Sequence, residues 1–157
     1  MRVLVVYNFD GCRLGQIGAA LDEAGAEIDL VRAHRGEPLP AGPQGHDGIV
    51  ILGGVQNALA DDSSPWLPGL IELMRDFADS GRSLLGVCLG SQLLARAYGG
   101  ANLIGGASEF GWQPVELTAE GAADLISRFR NADERFRRSR GVRGDPAGHR
   151  RRRLRSR

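Results

Sequence analysis

Residues 83–99 read SLLGVCLGSQLLARAYG, and they constrain the fold more than any other stretch. A short apolar run, residues 84–87, meets Cys88 inside the spacing Gly86-x-Cys88-x-Gly90, and an Ala/Leu-rich helical pattern follows at once. That order requires a strand that turns sharply into a helix. Such a turn holds its central residue in a strained conformation, exposes that side chain, and needs small neighbours so that the backbones can approach. Cys88 is the central residue, which makes the stretch a nucleophile elbow carrying sulfur. The positive end of the helix that starts after it favours the thiolate, the reactive form. An isolated cysteine would read as a buried strand end, because free Cys is among the most buried residue types. The two flanking glycines and the strand-to-helix switch favour the elbow.

The rest of the chain supplies a sheet for that elbow. Residues 2–7, RVLVVY, form a continuous apolar and β-branched run, as in a strand buried on both faces of a parallel sheet. Residues 15–24 carry Ile17, Ala20, Leu21 and Ala24 at helical spacing, and Gly25 ends that helix. Residues 27–31 predict a second strand, residues 35–45 a Pro/Gly-rich loop, and residues 48–52 a third strand ending in Gly53-Gly54. After the polar stretch 55–65, Pro65 opens a helix that runs to about Ser80, with Leu67, Leu70, Ile71, Met74 and Phe77 on one face and Gly81 as its stop. Beyond the elbow helix, ANLIGGA (101–107) predicts a short strand or hairpin arm and SEFGW (108–112) a loop. QPVELT (113–118) alternates like an edge strand, and 119–129 starts a further helix. This is the opening of an α/β fold with a doubly wound, mostly parallel sheet in flavodoxin-like layers, left incomplete at the C-terminus.

Charge divides the 157 residues differently. Residues 1–127 carry 7 Arg against 16 Asp plus Glu, whereas residues 128–157 carry 13 Arg against 3, with no Lys anywhere. The first segment reads as an acidic globular domain. The second has no core-forming period and reads as a disordered, Arg-rich tail. The chain holds two cysteines, Cys12 and Cys88, without metal-ligand spacing, and no apolar run long enough for a signal peptide or membrane span. A cytoplasmic protein with free thiols, no metal and no cofactor is expected.

An oxyanion hole is expected around the thiol. The backbone N–H of Leu89 faces the anion site at the first turn of the elbow helix, and the Gly53-Gly54 turn can bring a second N–H. Alone, Gly-Gly after a strand is only a tight turn. Together, GVCLGSQLLA (86–95), GIVILGG (48–54) and EFGWQPVELT (109–118) resemble a class I glutamine amidotransferase domain over residues 1 to about 126, most closely its GMP-synthase-like members. In that family a cysteine attacks the side-chain amide of glutamine, forms a γ-glutamyl thioester and releases ammonia to an acceptor. The resemblance makes Cys88 the nucleophile, with Gly54 and Leu89 as oxyanion donors. It makes Gln92 a glutamine-binding side chain, and Glu109, Gly111 and Trp112 part of the wall of the glutamine pocket. It further implies an acceptor domain or synthetase partner of unknown identity. Gln92, at i+4 from Cys88, shares its helix face.

Two departures from the family stand out. Val55 replaces the proline usual after Gly-Gly, and the family's His-Pro-Glu segment, which supplies the remaining triad residues, does not occur. His34 and His46 fall in or beside the loop before the third strand and are expected to be solvated, as is His149 in the arginine tail. Without a base to take the thiol proton and return it to departing ammonia, an impaired glutaminase is the expectation. The change near Arg128 suggests a frame change or truncation of a longer gene, with self-association through an open sheet edge as a consequence. Another hydrolase of the same elbow-cysteine superfold is the second enzyme reading, which Gln92 and the 109–112 loop disfavour. A non-catalytic remnant or polyanion-binding protein is the third. Dense Arg binds phosphate, but only Phe129 and Phe136 interleave the tail for base stacking, so nucleic acid is disfavoured.

Overall fold

The computed structural model describes residues 1–105 and Ala119. Strand β1 (Arg2–Tyr7) is followed by helix α1 (Gln16–Glu23), strand β2 (Glu27–Arg32), a 3₁₀ turn (Ala33–Arg35) and strand β3 (Gly48–Ile51). Helix α2 (Leu67–Asp79), strand β4 (Ser83–Gly86) and helix α3 (Leu89–Ala97) complete the described elements. The four strands are parallel, in the order β2-β1-β3-β4. They form the parallel, helix-layered α/β sheet expected of the sequence.

Strand periodicity distributes the apolar residues between two cores. Leu4 and Val6 of β1, with Ile49 and Ile51 of β3, face one side, where Leu67, Leu70, Met74 and Phe77 of α2 and Leu89 and Leu93 of α3 pack on them. Val3, Val5, Val50 and Leu52 face the other, against Ile17 and Leu21 of α1. A central parallel strand therefore has to be apolar at every position, which is why RVLVVY shows no alternation. The α2 face is the stronger layer: Leu67, Leu70, Met74 and Phe77 are wholly buried, each contributing about 1.5–3 kcal/mol of transfer free energy. Helix α1 buries no residue fully.

Left-handed glycines stop the helices where the sequence expects, Gly25 at φ 64° after α1 and Gly81 at φ 70° after α2. Helix α2 starts at Leu67, not Pro65. The Leu67 N–H donates to the Ser64 carbonyl at 3.0 Å, so residues 64–67 make a tight turn first, and Pro68 falls in the first helical turn, where no N–H is needed. Residues 101–105 are irregular and end in a turn, so the strand expected at 101–107 is absent from its described part. Positive φ at Gly99 (76°) and Gly105 (74°) brackets the stretch, and Leu103 stands 86% exposed, with no sheet face among the described residues to cover it. The expected loop at 108–112, strand at 113–118 and tail boundary at 127/128 lie outside the described residues. Of the helix expected at 119–129, Ala119 is described and is helical.

Candidate functional site

Cys88 is the N-cap of α3, with φ 55° and ψ −112°. A non-glycine residue held there costs about 1–3 kcal/mol and persists only when its surroundings fix it. Both flanking glycines do so. A Cβ on Gly86 would lie 2.5 Å from the carbonyl carbon and oxygen of Gly90, and one on Gly90 would lie 2.3 Å from the carbonyl oxygen of Ile51. The first turn of α3 therefore rests directly on the backbone of β3 and β4, with no room for a side chain at either position. The Val87 N–H, donated to the Ile51 carbonyl at 2.9 Å, extends the ladder to the residue before the thiol. The strand-to-helix elbow expected from Gly86-x-Cys88-x-Gly90 is thereby formed, and the Cys88 side chain is exposed.

The Gly53-Gly54 turn sits against this elbow. A Cβ on Gly53 would lie 3.2 Å from Cys88 Cβ and 3.6 Å from its Sγ, and one on Gly54 would lie 2.7 Å from Leu89 Cδ2. The structure thus brings Cys88, Leu89, Gly53 and Gly54 together at the carboxyl ends of β3 and β4. Among the described residues, the N–H groups of Leu89 and Gly54 have no hydrogen-bond acceptor. Two unengaged donors beside a thiol are what an oxyanion would require.

Three residues that sequence reasoning passed over position the turn. Asn8, wholly buried just past β1, donates from Nδ2 to the Leu52 carbonyl at 2.9 Å and accepts from Trp66 Nε1 at 3.0 Å. The Asn8 carbonyl accepts from Gln56 Nε2 at 2.9 Å. Asn8 thus ties the end of β3, the loop after it and the entry to α2 into one hydrogen-bonded unit. A polar residue ending an apolar run at the carboxyl edge of a central strand was the available signal. The far side of the 55–65 loop is fixed by Arg96 of α3, which donates to the Ala58 carbonyl at 2.7 Å and bidentately to Asp61 at 2.6 and 2.5 Å. The guanidinium holds the Asp61 carboxyl below its usual range.

Gln92 lies one turn beyond Cys88, its N–H donating to the Cys88 carbonyl at 3.2 Å, and its side chain is exposed. Glu109, Gly111 and Trp112 lie outside the described residues, as does His149. His34 and His46 are not the solvated loop residues expected. His34 Nδ1 is 3.0 Å from the Tyr7 carbonyl, and Nε2 is 2.9 Å from Asp10 Oδ1. His46 is 5% exposed, with Nδ1 2.7 Å from the Pro43 carbonyl and Nε2 2.7 Å from Asp29 Oδ2. The chain folds back on β1 and β2 and hands each ring two acceptors, so both histidines work as structural pins and neither keeps a free nitrogen. Arg35 and then His34 hold the Asp10 carboxyl down at about 2. Among the described residues no cluster of three or more His, Cys, Asp or Glu could hold a metal.

The sequence model of glutamine amidotransferase class-I matches residues 6–148, a range that continues past the last motif into the arginine-rich segment. The glutamine amidotransferase-like protein YfeJ of Salmonella typhimurium is 31% identical over 112 residues, covering 69% of this chain and 47% of that protein. Gamma-glutamyl peptidase 5 of Arabidopsis thaliana is 37% identical over 79 residues, 50% of this chain and 31% of its own. A glutamine-hydrolysing GMP synthase of Vibrio vulnificus is 36% identical over 76 residues, 48% of this chain and 13% of its own. The crystal structure of a glutamine amidotransferase from Methylobacillus flagellatus superposes with a TM-score of 0.59 at 33% identity, over 62% of this chain and 39% of that one. The chain therefore spans about half the length, or less, of these relatives.

Proposed function

The chain belongs to the class-I glutamine amidotransferases, and from that premise we propose that Cys88 is the nucleophile of a glutaminase site. Its thiolate attacks the side-chain amide carbon of glutamine. The N–H groups of Leu89 and Gly54 receive the charge that develops on the amide oxygen, and collapse of the intermediate expels ammonia and leaves a γ-glutamyl thioester. Water then releases glutamate, and the ammonia passes to an acceptor that a synthetase domain or partner would hold. Gln92, on the elbow helix, is the glutamine-binding side chain of this reading, and Glu109, Gly111 and Trp112 belong to the wall of its glutamine pocket. The observation that carries this reading is the strained backbone of Cys88 at the strand-to-helix junction, with the Gly53-Gly54 turn packed against it.

We further propose that turnover is impaired. Both described histidines have both ring nitrogens engaged, and the chain has no His-Pro-Glu segment. General acid–base catalysis contributes about 10²–10⁴-fold, and the loss falls on the step in which ammonia must leave protonated. A glutamine-analogue electrophile separates shape from turnover, because alkylation needs only the thiolate and the pocket. Peptide mass spectrometry after such labelling should find Cys88 modified well before Cys12. Equal rates at the two cysteines would remove the glutamine pocket from this reading.

The likeness to a gamma-glutamyl peptidase supports a second reading with the same thioester and a different leaving group, the amine of a γ-glutamyl peptide. Release of free amine from a γ-glutamyl dipeptide, in excess of ammonia from glutamine at equal concentration, would decide for it.

A further inference from the structure

Cys12 stands beside the same turn as Cys88, although 76 positions separate them in the sequence. The point where a Cβ on Gly53 would lie is 3.3 Å from Cys12 Sγ and 3.6 Å from Cys88 Sγ. Two sides of that length keep the sulfurs within about 7 Å of each other. Because residue 53 is glycine, its side-chain position between them is empty. Both thiols are free, Cys88 exposed and Cys12 half-buried against the α1 core. Cys12 is carried by the loop between β1 and α1, where Phe9, Asp10, Gly11, Arg13 and Gly15 are all exposed. Closing the remaining gap moves this loop by a few ångströms, against the Cys12 and Leu14 contacts with the core and the Asp10 pairs with His34 and Arg35.

We propose that Cys12 and Cys88 form a peroxide-oxidisable dithiol in which Cys12 resolves the oxidised nucleophile as a reversible disulfide. The Cys88 thiolate attacks one oxygen of a peroxide: an S–O bond forms, the O–O bond breaks, and hydroxide leaves and is protonated by solvent. The Cys12 thiolate then attacks the Cys88 sulfur. The S–S bond forms, the S–O bond breaks, and a second hydroxide leaves as water. The two thiols together lose two electrons and two protons, and hydrogen peroxide becomes two waters. The disulfide masks the nucleophile and intercepts the sulfenic acid before it reaches the irreversible sulfinic stage. A dithiol reductant restores both thiols.

The test uses the reduced full chain and does not depend on any catalytic activity. Treat it with one equivalent of hydrogen peroxide, block remaining thiols with N-ethylmaleimide, digest with trypsin and omit reductant. Cleavage after arginine puts Cys12 in peptide 3–13 and Cys88 in peptide 83–96. The expected result is a protein two hydrogens lighter, a cross-linked 3–13/83–96 pair as the main product at Cys88, a yield independent of protein concentration, and full reversal by dithiothreitol. In Cys12→Ser the cross-link disappears, and when both chains are exposed to about ten equivalents of peroxide the Cys88 thiol recovered after reduction falls about fivefold or more below that of the wild type, as sulfinic and sulfonic acids replace it. A wild-type chain that over-oxidises Cys88 without the cross-linked pair overturns the proposal, whether or not the variant folds. So does a cross-link found only between two copies of the chain.

Discussion

Gly90 faces the Ile51 carbonyl so closely that an added methyl would meet it at 2.3 Å. Backbone cannot yield as a side-chain tip can, so Gly90→Ala should destabilise by about 1–3 kcal/mol or more, seen as a lower urea midpoint. Cys88 should behave oppositely. Its φ of 55° is unfavourable for any residue with a Cβ, and Cys88→Gly should raise stability by about 1–2 kcal/mol while abolishing electrophile labelling. An unchanged or lower midpoint at constant slope would mean that the elbow stores no strain. Asp10 gives a pH signature. Arg35 and then His34 hold its carboxyl at about 2 in the fold, below the ordinary aspartate value of 3.8. Its contribution to stability is thus complete above about pH 4 and is lost as pH falls through 2. Asp29, held down chiefly by His46, acts in the same direction. Asp10→Asn should flatten the loss of stability between pH 5 and pH 2; an acid limb unchanged by the substitution would place that stability elsewhere.

At the scale of elements, the joints matter more than the elements. Strands β1 and β3 were legible because a doubly covered parallel strand must be apolar at each position, and α2 because its apolar residues repeat at helical spacing. The elbow was legible for a stronger reason: Gly86, Cys88 and Gly90 encode a backbone contact in residue type. What the sequence did not disclose is tertiary. Asn8, Gln56 and Trp66 are unremarkable polar or aromatic residues until the sheet order puts β1 beside β3, and Cys12 reaches Cys88 only through the same topology. His34 and His46 misled because loop position says nothing about which carbonyls a fold will turn toward a ring. Residues 101–105 misled because an apolar pair, Leu103-Ile104, makes a strand only where a neighbour offers a ladder. The Asn8 unit is testable. Asn8→Ala removes the partner of the Leu52 carbonyl and of Trp66 Nε1, which should cost about 1–3 kcal/mol. It should also slow Cys88 labelling more than a surface variant of equal stability does, because the Gly53-Gly54 turn loses its tether.

On the scale of the whole molecule, the described residues hold an exposed thiol on a strained elbow, two unengaged N–H donors and a helix start, but no histidine with a nitrogen to spare. The match spans about half the length, or less, of these relatives, and in the proposed glutaminase the proton-transfer half of the chemistry finds no free imidazole among the described residues. Alkylation and turnover respond differently to that division. A carbon electrophile needs no protonated leaving group, whereas ammonia cannot leave the tetrahedral intermediate without a proton, and the thioester needs a base to activate water. Exogenous imidazole should therefore raise ammonia release from glutamine in proportion to its concentration, while changing the rate of electrophile labelling at Cys88 by less than about twofold. His34→Gln and His46→Gln should leave both rates in place and lower the urea midpoint, since each ring is tied to a carbonyl and a carboxylate. If His34→Gln instead removed imidazole-independent turnover without loss of stability, that ring would be the base, and the bonds it makes to Tyr7 and Asp10 would be those of a resting state.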